Sequence, residues 1–101
     1  MEAVLRAISD PRRREIFRLV RFEERSAGDI AAHFEVSRPA ISQHLTVLRH
    51  AGLLTERRAG NRRLYRARPE ALGEVRAFVE EFWSDHLIRL KAAAEHESRR
   101  Q

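Results

Sequence analysis

The sequence contains no cysteine. This absence excludes disulfide bonds, thiolate metal ligands and a thiol nucleophile, while it leaves the redox environment of the protein open. No stretch approaches the roughly 18 consecutive apolar residues that a membrane-spanning helix needs. The first residues also lack the apolar run of a secretion signal. We therefore expect a cytoplasmic protein that makes no membrane contact.

The usual arrangements of catalytic groups are also missing from the sequence. There is no Gly-rich phosphate-binding loop, no evident pair of carboxylates and no cluster of metal ligands at a recognised spacing. We therefore expect a protein that is not an enzyme and that has no cofactor and no metal site.

Acidic residues are scarce in the middle third of this 101-residue chain, whose length suits one domain over 1–101. Residues 36–68 contain eight Arg and a single acid, Glu56, so their net charge is +7, whereas residues 1–35 sum to zero and residues 69–101 to −2. A localised basic block indicates a protein that binds a polyanion such as double-stranded DNA. The alternative is a basic surface that serves only solubility.

Asp10-Pro11 is typical of a helix start, because Asp can cap a helix and Pro fits its first position. A short helix is predicted before it, with apolar side chains at Val4, Leu5 and Ile8 on one side. We expect these three side chains to contribute to a dimer interface.

Two further capping signals predict a helix-turn-helix at about 27–51. Ser26 is followed three residues later by Asp29, as in a capping box. After a tight turn, Ser37 can cap a second helix that stops at Gly52, a residue type favoured just past a helix end.

Two segments that can form strands, Leu53–Arg58 and Arg62–Ala67, flank a turn that contains Gly60. This pattern predicts a β-hairpin, the wing, at about 53–67. Pro69 then begins a last helix at about 70–95. The predicted fold is mainly α-helical with a small β-hairpin, in the order of a winged helix-turn-helix, with dimerisation through the terminal helices.

A helical projection of residues 37–50 places Ile41, Leu45 and Leu48 on the core side and leaves an outward face without acids. Gln43 on that face is the best candidate to read adenine. His44 flanks the apolar side, where we expect a packed or hydrogen-bonded histidine. We predict that the outward side chains of this helix and the arginines near the hairpin turn bind DNA: Ser37, Arg38, Pro39, Ser42, Gln43, Thr46, Arg49, Arg57, Arg58, Arg62 and Arg63.

Apolar residues cover a wider arc of the last helix than the roughly 100° needed to dock on one surface. The excess predicts a second partner surface, for which another copy of the chain is the simplest candidate; a thick core in a monomer is the alternative. A two-fold dimer could read a palindrome. The predicted interface residues on this helix are Phe78, Val79, Phe82, Trp83, His86, Leu87 and Leu90.

Three motifs in this order resemble the ArsR family of winged-helix repressors. They are Ala7–Ile16 for the opening helix, Ser37–Leu53 for the recognition helix and its exit, and Gly60–Tyr65 for the wing. The resemblance implies a homodimeric repressor that leaves its operator when a signal arrives, an unknown small molecule or protein. The Phe82-Trp83 region is similar to the metal-independent branch of the family, which includes autorepressors.

The sequence departs from the metal-sensing members of that family. Ser26 and Gly28 stand where such members often have a Cys-x-Cys pair. Asp85, His86 and His96 resemble an Asp/His site on the dimer helix of other members, but Asp85 adjoins His86 directly, so the spacing differs. Two alternatives are a metal-responsive repressor with a site on the C-terminal helix and a winged-helix protein–protein interaction module.

Overall fold

The computed structural model describes residues 1–100. The five α-helices are α1 (Glu2–Ile8), α2 (Pro11–Leu19), α3 (Ala27–Ala31), α4 (Arg38–His50) and α5 (Gly73–Arg100). The strands are β1 (Arg25–Ser26), β2 (Leu54–Ala59) and β3 (Arg62–Ala67), and a 3-10 helix, Pro69–Leu72, precedes α5. No helix within residues 1–100 is both long and apolar enough to span a membrane.

The predicted capping residues begin their helices as expected. The Asp10 carboxylate accepts hydrogen bonds from the backbone N–H groups of Arg12 and Arg13, at 2.8 and 3.3 Å. Burial alone would raise the pKa of Asp10, but these hydrogen bonds and the Arg13 charge outweigh it, so the pKa is lowered. The hydroxyls of Ser26 and Ser37 cap α3 and α4 in the same way.

The core lies where α4 meets the other helices and the sheet. Ile41, Leu45 and Leu48 are buried along one side of α4, which confirms the helical projection. Gly52 follows α4 with a φ of +80°, a conformation that favours glycine. The fully buried large side chains come from α2, α3, α4 and the segments beside them: Ile16, Val20, Ile30, Ile41, Leu45, Leu48 and Leu53.

The wing, which consists of β2, β3 and the turn between them, is part of a three-stranded antiparallel sheet in the order β1-β3-β2. The hairpin was predicted, and β2 begins one residue later than expected. Strand β1 was not predicted, because it has only two residues and forms through pairing of Arg25 with Tyr65 and of Ser26 with Leu64. A strand this short has no periodicity that a sequence could reveal.

Helix α5 differs from the predicted last helix at both ends. It begins at Gly73 after the 3-10 helix, and it continues to Arg100. No residue in this range is buried, and the molecule is elongated, with extents of 70 × 24 × 23 Å. The helix thus leaves its apolar side largely uncovered by its own chain.

One predicted dimer residue needs correction. Val4 is 7% exposed and belongs to the core of the single chain, because α1 packs against α2 and α4. Leu5, at 40% exposed, is accessible, and Ile8 is half-buried at the edge of the core. Of the three apolar residues of α1, Leu5 is therefore the one best placed to reach another molecule.

Candidate nucleic-acid interface

An open cleft of about 460 Å³ lies between α4, the wing and the start of α3. Its two walls are formed by the recognition helix α4 on one side and by the wing on the other. The residues that line it are Ser26, Ala27, Gly28, Arg38, Ser42, Thr46, Arg49, Glu56, Asn61, Arg62, Arg63 and Tyr65. Six of the predicted DNA-binding residues are among them: Arg38, Ser42, Thr46, Arg49, Arg62 and Arg63.

The α4 wall offers polar side chains and no acid. Residues 38–50 contain no Asp or Glu, so phosphates can approach this helix without repulsion. The Thr46 hydroxyl donates to the Ser42 carbonyl at 2.9 Å, which orients that side chain along the helix. Gln43 is exposed next to the cleft, on a shallow depression that it shares with Ser42, Thr46 and Val47.

The strand register decides which wing side chains face α4. Paired residues of an antiparallel ladder share a face, so Glu56 and Tyr65 lie on one face, and Arg57 and Leu64 lie on the other. Arg57 hydrogen-bonds to Glu24, and these bonds hold the pKa of Glu24 below its ordinary value. Arg57 does not line the cleft and is engaged with Glu24, so its DNA contact stays a prediction.

Carboxylates hold three of the arginines in the cleft. Arg62 lies 3.2 Å from Asp29 of α3. Glu56 lies 3.5 Å from Arg49 and 3.6 Å from Arg63, with a different carboxylate oxygen towards each. The Arg62–Asp29 pair is exposed on both sides, and such a pair contributes about 0–1 kcal/mol, so Arg62 can exchange its carboxylate for a phosphate at small cost. Glu56 is less accessible, at 20% exposed, and it is shared by two arginines.

Tyr65 closes the inner end of the cleft. Tyr65 is 7% exposed, so its ring packs inward and is not available to stack on a base. Burial raises the pKa of its phenol, and the nearby Glu56 charge acts in the same direction. The ring thus provides a rigid apolar base under the charged groups of the wing.

Arg13 of α2 fixes α4 relative to α1. Its Nε donates to the Ala7 carbonyl at 2.7 Å, its Nη2 donates to the Arg6 carbonyl at 3.0 Å, and its Nη1 lies 3.4 Å from Nδ1 of His44. The expectation of a hydrogen-bonded histidine at position 44 is confirmed. Arg13 itself was missed, because its role depends on three contacts between separate elements.

The remaining predicted DNA-binding residues surround the cleft without lining it. Ser37 caps α4, and Pro39 occupies its first turn. Arg58 is exposed and pairs across the ladder with Arg63 near the wing turn. Conversely, Asn61 and the residues Ser26, Ala27 and Gly28 line the cleft but were not predicted, since nothing in the sequence indicates that the start of α3 faces the wing.

The candidate metal residues on α5 do not form a cluster. Among residues 1–100, no three His, Asp or Glu side chains are grouped so that they could hold a metal ion. The His86 ring instead lies 5.7 Å from the Trp83 ring, centroid to centroid.

Sequence and structure comparisons agree on what this chain resembles. A family profile described as a bacterial regulatory protein of the arsR family matches residues 10–56. The transcriptional repressor SdpR of Bacillus subtilis is 47% identical over 60 residues, which are 59% of this chain and 67% of that protein. The HTH-type transcriptional regulator Rv2034 of Mycobacterium tuberculosis is 40% identical over 78 residues, which are 77% of this chain and 73% of that one.

A solved structure described as a possible transcriptional regulator for arsenical resistance superimposes with a TM-score of 0.71 and is 45% identical. The match covers 87% of this chain and 92% of the other. The similarity therefore includes α5 in part, as well as the helix-turn-helix and the wing.

Proposed function

The chain belongs to the ArsR family of bacterial regulatory proteins, and we propose that it is a transcriptional repressor that binds double-stranded DNA through the cleft between α4 and the wing. The observation that carries this proposal is the composition of the cleft. An acid-free helix face and the arginines of the wing line the same open surface. Because its ligand is DNA, we expect the protein to act in the cytoplasm.

The dimensions of α4 fit the major groove of DNA. From Arg38 to Thr46 the helix rises about 12 Å at 1.5 Å per residue, close to the width of the groove. Gln43 can pair with adenine there, and Arg38 can reach guanine or a phosphate. Beside the wing turn, Arg58 and Arg62 can reach the flanking phosphates or the minor groove.

We propose that the protein binds as a homodimer through α5. The residues Phe78, Val79, Phe82, Trp83, Leu87 and Leu90, here called the apolar stripe, are all at least 49% exposed in the single chain. Monomeric proteins rarely expose so large a continuous apolar surface. A second copy would cover the stripe, together with His86 on the same helix and with Leu5 and Ile8 of α1.

A two-fold dimer predicts a palindromic operator, because each α4 would read one half-site. Selection of bound duplexes from a random pool tests this directly. We expect recovery of a palindrome whose half-sites are about one helical turn apart. Recovery of no common sequence would contradict sequence-specific binding.

A matched pair of variants separates the contribution of the cleft to DNA binding from the contribution of general surface charge. Arg38→Gln removes a cleft arginine, and Arg18→Gln removes an exposed arginine of α2 outside the cleft. Both variants lose one positive charge. We expect Arg38→Gln to weaken binding to the selected duplex and Arg18→Gln to leave it nearly unchanged; equal effects would contradict the assignment of the cleft.

A further inference from the structure

Glu56 is the one acid in the basic segment 36–68, and it lies inside the cleft. Its side chain is 20% exposed and is held between Arg49 at the end of α4 and Arg63 on β3. An acid at the centre of a surface that binds a polyanion opposes that binding, so its position calls for a physical explanation.

The geometry differs from that of the other ion pairs near the wing. Arg57 and Glu24 pair with each other outside the cleft lining, and the Asp29 carboxylate forms an ion pair with one arginine, Arg62. Glu56 instead directs one oxygen to each of two arginines that come from opposite walls, an arrangement we call the Glu56 clamp. The clamp connects the recognition helix to the wing.

We infer that Glu56 determines specificity by withholding Arg49 and Arg63 from sequence-independent phosphate binding. This inference rests on the proposed function, since it requires that the cleft binds DNA. Binding to an arbitrary duplex depends almost wholly on phosphate contacts, so two occupied guanidinium groups reduce it directly. On the operator, contacts from α4 to the bases hold the protein in register, and Arg49 and Arg63 stay paired with Glu56.

The test compares Glu56→Gln with Glu15→Gln. Both variants gain one unit of positive charge, and both remove the carboxylate of an arginine pair, but Glu15 pairs with Arg18 on α2 outside the cleft. The probe is a fluorescent duplex of scrambled sequence, titrated between about 50 and 200 mM salt. Circular dichroism and thermal unfolding verify that each variant is folded.

We expect E56Q to bind the scrambled duplex about tenfold more tightly than the unmodified chain near 100 mM salt. The slope of log affinity against log salt should become more negative by nearly 2, because each added phosphate contact contributes about −0.9. E15Q should stay within about twofold of the unmodified chain. For the duplex recovered by selection, E56Q should change affinity by less than about threefold, so the specificity ratio falls.

A second comparison separates the clamp from the mere charge of Glu56. In a chain that carries R49Q and R63Q together, the clamp has no partners, so adding E56Q should produce little further gain. An equal gain with and without these arginines would overturn the clamp, as would indistinguishable behaviour of E56Q and E15Q.

The inference and the proposed function fail in different ways. If the unmodified chain binds the scrambled duplex and E56Q binds it with the same affinity and salt slope, the inference alone is overturned. Absence of binding to any duplex by both the unmodified chain and E56Q would overturn the proposed function together with it.

Discussion

The two ends of the molecule use apolar residues in opposite ways. The region from α1 to β3 buries most of its apolar residues in a common core, where Ile16, Ile41 and Leu48 are fully enclosed, although Phe22 is exposed. Helix α5 contains Phe82 and Trp83 at 62% and 59% exposed, although both have large aromatic side chains. The first region thus contains the core of the chain, whereas the second exposes an apolar side that a partner could cover.

This difference shows which functions are separable. The helices and the wing that form the cleft are positioned by the core of one chain, so each copy has its own candidate DNA-binding surface. The apolar stripe of α5 contributes nothing to that core, and in the proposed dimer it relates one copy to another. Substitutions in the two regions should therefore change different measurements.

Leu45→Ala tests the core region and should have the largest effect. Leu45 lies on the buried side of α4 and is 2% exposed. Truncation of such a residue costs about 2–5 kcal/mol of the free energy of unfolding. Chemical denaturation measures the loss. A change below about 0.5 kcal/mol, typical of surface positions, would show that the core described here is not the one that supports α4.

Trp83→Ala tests the exposed region. We expect the free energy of dimerisation to weaken by about 2 kcal/mol, as for a central aromatic residue of an interface. Ile88→Ala is the matched control, because Ile88 is 66% exposed and lies on the opposite side of α5. Sedimentation should detect dissociation for Trp83→Ala only; an unchanged dimer would refute the assignment of the stripe.

Gln43→Ala tests whether the surface built by the core reads sequence. The variant should lose about 1–3 kcal/mol of discrimination between the selected and a scrambled duplex, with little change on the scrambled one. Arg58→Gln should instead weaken both duplexes and reduce the salt slope by about 1. If Gln43→Ala lost the same affinity for both duplexes, Gln43 would contact the DNA backbone and not a base edge.

Asp10→Ala should have the smallest effect, about 0.5–2 kcal/mol of the free energy of unfolding, through loss of the α2 cap. Since folding lowers the pKa of Asp10, its charge stabilises the fold above the ordinary value of 3.8, and this contribution disappears as the pH falls through the folded pKa. Asp10→Asn keeps a capping side chain and removes the titration. Its stability should therefore decline less below pH 4 than that of the unmodified chain; parallel declines would contradict this role.

Local signals in the sequence predicted the elements that the cleft needs. Ser26, Ser37 and Asp10 act on backbone N–H groups two or three residues away, so their roles can be read without a fold. The helical period likewise identified the buried side of α4. The family resemblance, carried by these same segments, predicted how they assemble.

Contacts between distant residues could not be predicted in this way. The Glu56 clamp joins α4 to β3, and Arg13 joins α2 to both α1 and His44. Val4 was assigned to a dimer surface because helical spacing identifies an apolar side but not the element that covers it. Such pairings follow from tertiary packing, which a single sequence does not display.

The most direct test of the account is an NMR titration of the labelled chain with the duplex recovered by selection. We expect the largest amide shifts in the first two turns of α4, around Arg38 to Thr46, and at the wing turn near Gly60. Shifts confined to β1, the solvent side of α2 or the end of α5, with α4 and the wing turn unaffected, would contradict it.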